Sequence, residues 1–262
     1  MSGRADEPSF SWKRQNRVSY TGYIDAITKY LAFDLETAAD IPEDDSHWSS
    51  HRPLGITCAA AFPCDADEPM IWHGKNSDGT PSSRMSPDEA HQVVDRLGEL
   101  VGEGYTLLTW NGLGFDFDVL AEESDALDQC RDLALEHVDM MFHVFCDRGF
   151  PVALGKAAEA MNIPGKPEGM SGVLAPRLWA QHQFQEVMDY VAQDVRMTLQ
   201  VAETCDQRRA FEWVTRRGTK AFMPLQHGWV TVRDALRIPE PDNSWMSDPL
   251  SRQRFTEWLN KE

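Results

Sequence analysis

Two acids separated by a single residue, Asp34 and Glu36, close the apolar run Tyr30-Leu31-Ala32-Phe33-Asp34-Leu35-Glu36-Thr37. A run rich in Leu, Phe and Tyr reads as a buried strand. Side chains alternate across a strand, so both carboxylates leave on the same face. Side by side they repel, and they stay ionised only where something cationic compensates them. A hard divalent ion such as Mg²⁺ prefers oxygen ligands and is a natural compensator. Two further acids stand at element boundaries or on buried faces. Asp116 follows Asn111-Gly112-Leu113-Gly114-Phe115, and Asp194 lies four residues after Tyr190 in a helical stretch. Taken singly, each is an ordinary solvated side chain. Taken together, with Tyr190 one helical turn before the last acid, they form a recognisable constellation.

The elements that must position them are legible from period and punctuation. Leu54 to Phe62 and Pro69 to His73 read as second and third strands of an antiparallel meander with the first. Ser86-Pro87-Asp88-Glu89 is a helix start, with Ser as N-cap and Pro at the first helical position. That helix should run to about Gly102, and Tyr105 to Trp110 should follow as a buried strand, completing a crossover. The two glycines after it predict a tight turn, with Asp116 near the start of the next helix and favoured there by its dipole. Residues 125 to 161 read as helices broken at Gly149-Phe150-Pro151, and 164 to 172 as a loop whose Lys166 could reach a phosphate. Gln183 to Gln207 is the clearest long helix. Val187, Val191 and Val195 give its apolar stripe, and Tyr190 and Asp194 stack one turn apart beside that stripe.

At either end the pattern changes. Residues 1–27 read as an N-terminal arm, where Trp12, Lys13, Arg14, Tyr20 and Tyr23 could contact nucleic acid or pack on the domain. Residues 28–210 form the main domain. Residues 211–262 read as a C-terminal appendage on or beside it, with a basic hairpin turn at Arg216, Arg217 and Lys220, and a short helix carrying Phe255, Trp258 and Leu259. That appendage could clamp on the core by its tryptophans, or meet nucleic acid or a protein partner.

The net charge of −17 argues against holding nucleic acid by bulk electrostatics. It leaves room for a local grip on a strand end through metal ions, which should be weak and salt-sensitive. No apolar run is long enough for a membrane span, and no secretory leader is evident, so no membrane partner is expected. Five cysteines without a C-x-x-C pair fit a reducing interior and a cytoplasmic protein.

Three stretches carry a family resemblance. Phe33-Asp34-Leu35-Glu36-Thr37, Asn111-x-x-x-Phe115-Asp116 and Tyr190-x-x-x-Asp194 resemble the three motifs of the DEDD superfamily of 3′–5′ exonucleases. Tyr190 marks the Tyr subtype, since the His subtype would place His where Asp189 stands. The second motif and His137-Val138-Asp139 are most similar to the proofreading exonuclease domains of family B DNA polymerases, although nothing here resembles a palm or fingers. One departure is Asp118, where those domains often carry Pro. It leaves open whether Asp116 or Asp118 is the ligand, with the spacing from Asn111 favouring Asp116.

The resemblance implies an α/β, RNase H-like mixed sheet with helices on both faces, and two-metal phosphodiester hydrolysis with Mg²⁺ or Mn²⁺. By that implication Asp34 bridges two ions, Glu36 and Asp194 hold the one that activates water, and Asp116 serves the leaving-group side. Tyr190 orients the water, and Glu36 also meets the terminal 3′-hydroxyl. Leu35, Thr37, Asn111 and Phe115 are the implied substrate contacts. The expected activity is a 3′–5′ exonuclease on single-stranded DNA. An RNA-trimming enzyme of the same subtype and a non-catalytic binding module on the same fold are the alternatives.

Overall fold

The computed structural model describes residues 28–42, 48–165 and 172–261. The N-terminal arm, His47 and Lys166 lie outside the described residues. The first strand, β1 (Tyr30–Thr37), pairs antiparallel with β2 (Ile56–Pro63), which pairs antiparallel with β3 (Met70–His73). Helix α1 (Pro87–Gly102) then carries the chain across to β4 (Thr106–Thr109), parallel to β1. The predicted cap holds it: Ser86 and Glu89 bond each other's backbone in a capping box.

After β4 come α2 (Asp116–Ser124), α3 (Leu127–Glu136), the two-residue strand β5 (Val138–Asp139), α4 (Met140–Arg148), α5 (Leu154–Met161), α6 (Ala175–Ala180) and α7 (Phe184–Arg208). Strand β5 pairs parallel with β4, giving the five-stranded order β3-β2-β1-β4-β5. The sequence reading had only helices here. Two residues are too few to show an alternating pattern, and β5 exists because β4 offers it an edge.

β1 divides the core by its period of two. Leu31, Phe33 and Leu35 face α1 and α2 and pack with Val93, Val94, Leu97, Phe117 and Leu120. Tyr30 and Ala32 face the other way, with Ala60 and Cys58 of β2, toward Val187, Val191 and Val195 of α7. Small residues on the strands let that long helix lie close to the sheet. The Tyr30 hydroxyl donates to Asp206 Oδ2 at 2.7 Å and pins the far end of α7 to the start of β1.

Beyond α7, β6 (Ala210–Val214) and β7 (Lys220–Pro224) form an antiparallel hairpin, followed by α8 (Val232–Ala235) and α9 (Gln253–Thr256). Phe211, Trp213, Met223 and Trp229 join the α7-side cluster, while Phe255 and Trp258 join the α1 and α2 side. Among the described residues, no helix is long and apolar enough to cross a membrane.

Candidate metal centre

Alternation along β1 sends Asp34 and Glu36 to the α7 face, where α7 presents Tyr190 and Asp194 one turn apart. Asp34, Glu36 and Asp194 each offer a carboxylate oxygen, and these oxygens lie within 4.8 Å of one another. Glu36 and Asp194 are each 6 % exposed, and Asp34 is half-buried. The strand is irregular at this point. The β1–β2 register shifts between Glu36 and Thr37, and Thr57 Oγ1 donates to the Glu36 carbonyl at 3.0 Å. A bulge at a strand end re-aims the side chain beside it.

Asp116 enters from the opposite side. Its Oδ1 accepts from the Leu35 amide at 3.2 Å, and its carboxyl hydrogen-bonds Asp34. Burial pushes its pKa up to about 7, against the Leu35 amide, which pulls it down. The Tyr190 phenol is raised well above its ordinary value, first by burial and then by Asp194, Glu36 and Asp34. It therefore keeps its proton and can only donate from it at neutral pH. Gly172 closes the site: a Cβ built there would lie 3.9 Å from both Glu36 Oε2 and the Tyr190 hydroxyl.

The donor set fits a hard divalent cation. At about 2.0–2.1 Å from a Mg²⁺ ion, ligand oxygens stand roughly 3 to 4 Å apart, and Ca²⁺ or Mn²⁺ allows slightly more. The three carboxylate oxygens, within 4.8 Å of one another, stand a little wider than that spacing, and like charges so close call for a cation to draw them together.

The second motif is built to deliver Asp116. Asn111 takes a left-handed backbone at φ 74°. A Cβ at Gly112 would meet the Thr109 side chain at 2.4 Å, so only glycine fits. The Asp139 carboxylate accepts from the amides of Asn111 and Leu113 at 3.0 Å each, and from Phe142 at 2.9 Å as the N-cap of α4. This residue was legible only as part of a resemblance. Its local signal is an acid between a strand and a helix, which marks an N-cap but not the loop it grips.

Asp118 has a different fate. Its carboxylate pairs with Arg52 and, at 2.9 Å, with Lys261 Nζ, while Asp116 is the acid hydrogen-bonded to Asp34.

The expected substrate contacts divide. Leu35 is 3 % exposed inside the α1 and α2 cluster, so its side chain has no surface to offer a base. Period two puts it on the face opposite the acids, which corrects the reading of its side chain as a contact. Thr37 is buried. Asn111 serves the turn through its backbone, and Phe115 is half-buried with its ring edge-on to Trp48 at 5.0 Å. Arg216 and Arg217 sit exposed in the hairpin turn beyond the far end of α7.

A family model of the RNase H superfamily matches residues 71–205, just over half of the chain. The chain belongs to the RNase H superfamily. The matched range of this RNase H-superfamily chain includes Asp116, Tyr190 and Asp194 and begins after β1, so Asp34 and Glu36 join the set by geometry. No curated protein matches the sequence. Among solved structures, the family B DNA polymerase from the hyperthermophilic archaeon Pyrobaculum calidifontis is similar at 20 % identity with a TM-score of 0.49. The alignment covers 69 % of this chain and 25 % of the polymerase chain, so this chain spans a quarter of that protein. The RNase H-like fold thus carries an acidic cluster that is a candidate divalent-metal site.

Proposed function

We propose that this chain is a metal-dependent 3′–5′ exonuclease of the Tyr subtype, trimming single-stranded DNA ahead of RNA. The observation that carries the reading is the convergence of Asp34, Glu36 and Asp194 within 4.8 Å, beside a Tyr190 phenol raised first by burial and then by those same three acids. Asp189, where the other subtype would carry its histidine, is exposed and bonded by Gln185, which supports the Tyr assignment.

Asp34, Glu36 and Asp194, with Asp116 beside Asp34, would hold two Mg²⁺ or Mn²⁺ ions, whose chemistry is Lewis-acid stabilisation of the attacking and leaving oxygens. Tyr190 keeps its proton, so its part is to donate a hydrogen bond that orients the attacking water, not to act as a base. Glu36 stands beside Tyr190 and can accept a hydrogen bond from a terminal 3′-hydroxyl, which restricts attack to the strand end. Half-buried Phe115, next to Asp116, is the candidate for stacking on the terminal base. The five free cysteines, four of them buried, favour a reducing compartment, and we place the protein in the cytoplasm.

The test is a 5′-labelled single strand of DNA, and the same sequence in RNA, incubated with purified protein and Mg²⁺ or Mn²⁺. Stepwise shortening from the 3′ end that stops with chelator supports the enzyme. Folded protein that shortens neither strand with Mn²⁺ present overturns it in favour of a binding module. Faster loss of RNA than of DNA turns the reading to an RNA-trimming enzyme.

A further inference from the structure

The loop that carries Asp116 is held from two sides, and the second holder lies at the far end of the sequence. On the amide side stands Asp139. On the carbonyl side, Trp258 Nε1 donates to the Leu113 carbonyl at 2.7 Å in a fully buried hydrogen bond. The Phe255 ring covers Gly114 so closely that a Cβ there would fall 2.7 Å from it. Lys261 Nζ reaches Asp118, two residues past Asp116, at 2.9 Å. Phe255 in turn rests on Phe142 and Phe145 of α4, at ring-centre distances of 5.4 and 4.9 Å. The N-cap of that helix is Asp139. Arg252 ties the segment down through the carbonyls of Ile238 and Cys146 at 2.7 and 3.0 Å. Both jaws of the clamp therefore rest on one helix.

We propose that Trp258, supported by Phe255 and Lys261, is a positioning residue for Asp116. The loop needs such a holder. A left-handed Asn111 persists only where its surroundings over-determine it. Asp116 meets β1 through the Leu35 amide at 3.2 Å and through a side-chain bond to Asp34, and the first is long enough that a small shift of the loop breaks it. A metal-binding constellation tolerates displacements of only about 0.5 Å. A donor fixed on the Leu113 carbonyl sets the path of the chain three residues before Asp116.

The inference rests on the exonuclease reading for its activity arm and on geometry alone for its exchange arm. In the full-length protein, Trp258→Phe keeps the ring and removes the N–H. Amide exchange at Asn111, Leu113, Gly114 and Phe117 should quicken about tenfold, as expected for one buried hydrogen bond. Turnover on the labelled strand should fall about tenfold, with KM moving less than about threefold. Trp213→Phe, in the hairpin, is the control for general loss of packing. It should leave the exchange of those amides and turnover at wild-type values at a comparable fall in Tm. Lys261→Met, which leaves the aromatic core intact, should lower turnover about threefold.

Unchanged exchange in Trp258→Phe overturns the clamp. Quickened exchange with wild-type turnover overturns its role in positioning Asp116, and so does an equal loss of turnover in Trp213→Phe. If the wild type cleaves neither DNA nor RNA, the exonuclease reading falls. Weaker Mn²⁺ binding in Trp258→Phe than in Trp213→Phe then supports the positioning role, and equal binding overturns it.

Discussion

Asp116 and Asp118 open the same helix and are both buried, yet the fold treats them in opposite ways. Asp118 is neutralised by the protein itself, through Arg52 and Lys261, and Arg52 also pairs with Glu122 and lies over the Trp48 ring at 4.8 Å. Asp116, among the described residues, has no Lys or Arg partner, and its carboxyl is hydrogen-bonded to another acid. One region has spent its charge on structure. The other collects charge of one sign and, in the cluster it joins, calls for a cation from outside. A buried acid with a built-in counter-ion is a strut, whereas a buried acid pressed against more acids is a site.

That contrast is best broken from the centre outward. Asp34 touches both the three-carboxylate cluster and Asp116, so Asp34→Ala should cost the most. Loss of about a thousandfold in the rate of 3′ shortening is expected, in the range found for removing a group that acts on developing charge. A drop of less than tenfold at equal folding would remove Asp34 from the centre of the site.

Asp116→Ala and Asp118→Asn then test the comparison itself. Asp116→Ala should lower the rate about a hundredfold and relieve a buried, raised carboxyl, so unfolding of the chelated protein should be little changed. Asp118→Asn should do the reverse. It leaves Arg52 and Lys261 facing a neutral amide, which costs about 1–3 kcal/mol of stability, while turnover falls only about threefold through the Lys261 tie. Urea melts and initial rates on both variants check this, and exchanged outcomes would make Asp118 the ligand. Tyr190→Phe comes next. Removing one orienting hydroxyl while leaving every carboxylate should lower turnover about tenfold, with the metal titration unmoved. A shifted metal requirement would instead make the phenol a ligand.

How much of this was legible depended on whether the signal was local. Period two put Asp34 and Glu36 on one face, and i, i+4 spacing put Tyr190 above Asp194. Residues inside one element obey its geometry wherever the element packs. The same rule would have placed Leu35 on the opposite, buried face, and reading it as a substrate contact set motif resemblance above alternation. The spacing from Asn111 favoured Asp116 over Asp118, but the physical difference between them was not local. Both lie in one helical turn, and what separates them are Arg52 and Lys261, long-range partners from before β2 and from the C-terminal end. Trp258 is further still from Leu113 in the chain and left no pattern beyond an aromatic on a short amphipathic helix. Strand β5 escaped because two residues hold no period.

The smallest effect carries the comparison over to a base. His143 of α4 is buried as well, its Nδ1 without a hydrogen-bond partner among the described residues and its ring edge-on to Trp229 at 5.5 Å. Burial alone pulls its pKa down to about 4 from an ordinary 6.5. Between those two values the unfolded chain binds the proton and the folded chain refuses it, so stability falls as pH falls through that window. His137, also near 4, acts in the same sense, while Asp116 near 7 and Asp139 near 6 act in the opposite one. A melt of the wild type alone would therefore show little net slope. The difference between His143→Leu and wild type isolates the group. Measured by urea denaturation of the chelated protein, that difference should be flat above pH 6.5. It should shift toward the variant by about 1 kcal/mol at pH 5.5, where one pH unit is worth about 1.4 kcal/mol per proton. A flat difference down to pH 4 would mean that the pocket hydrates and protonates His143 in place.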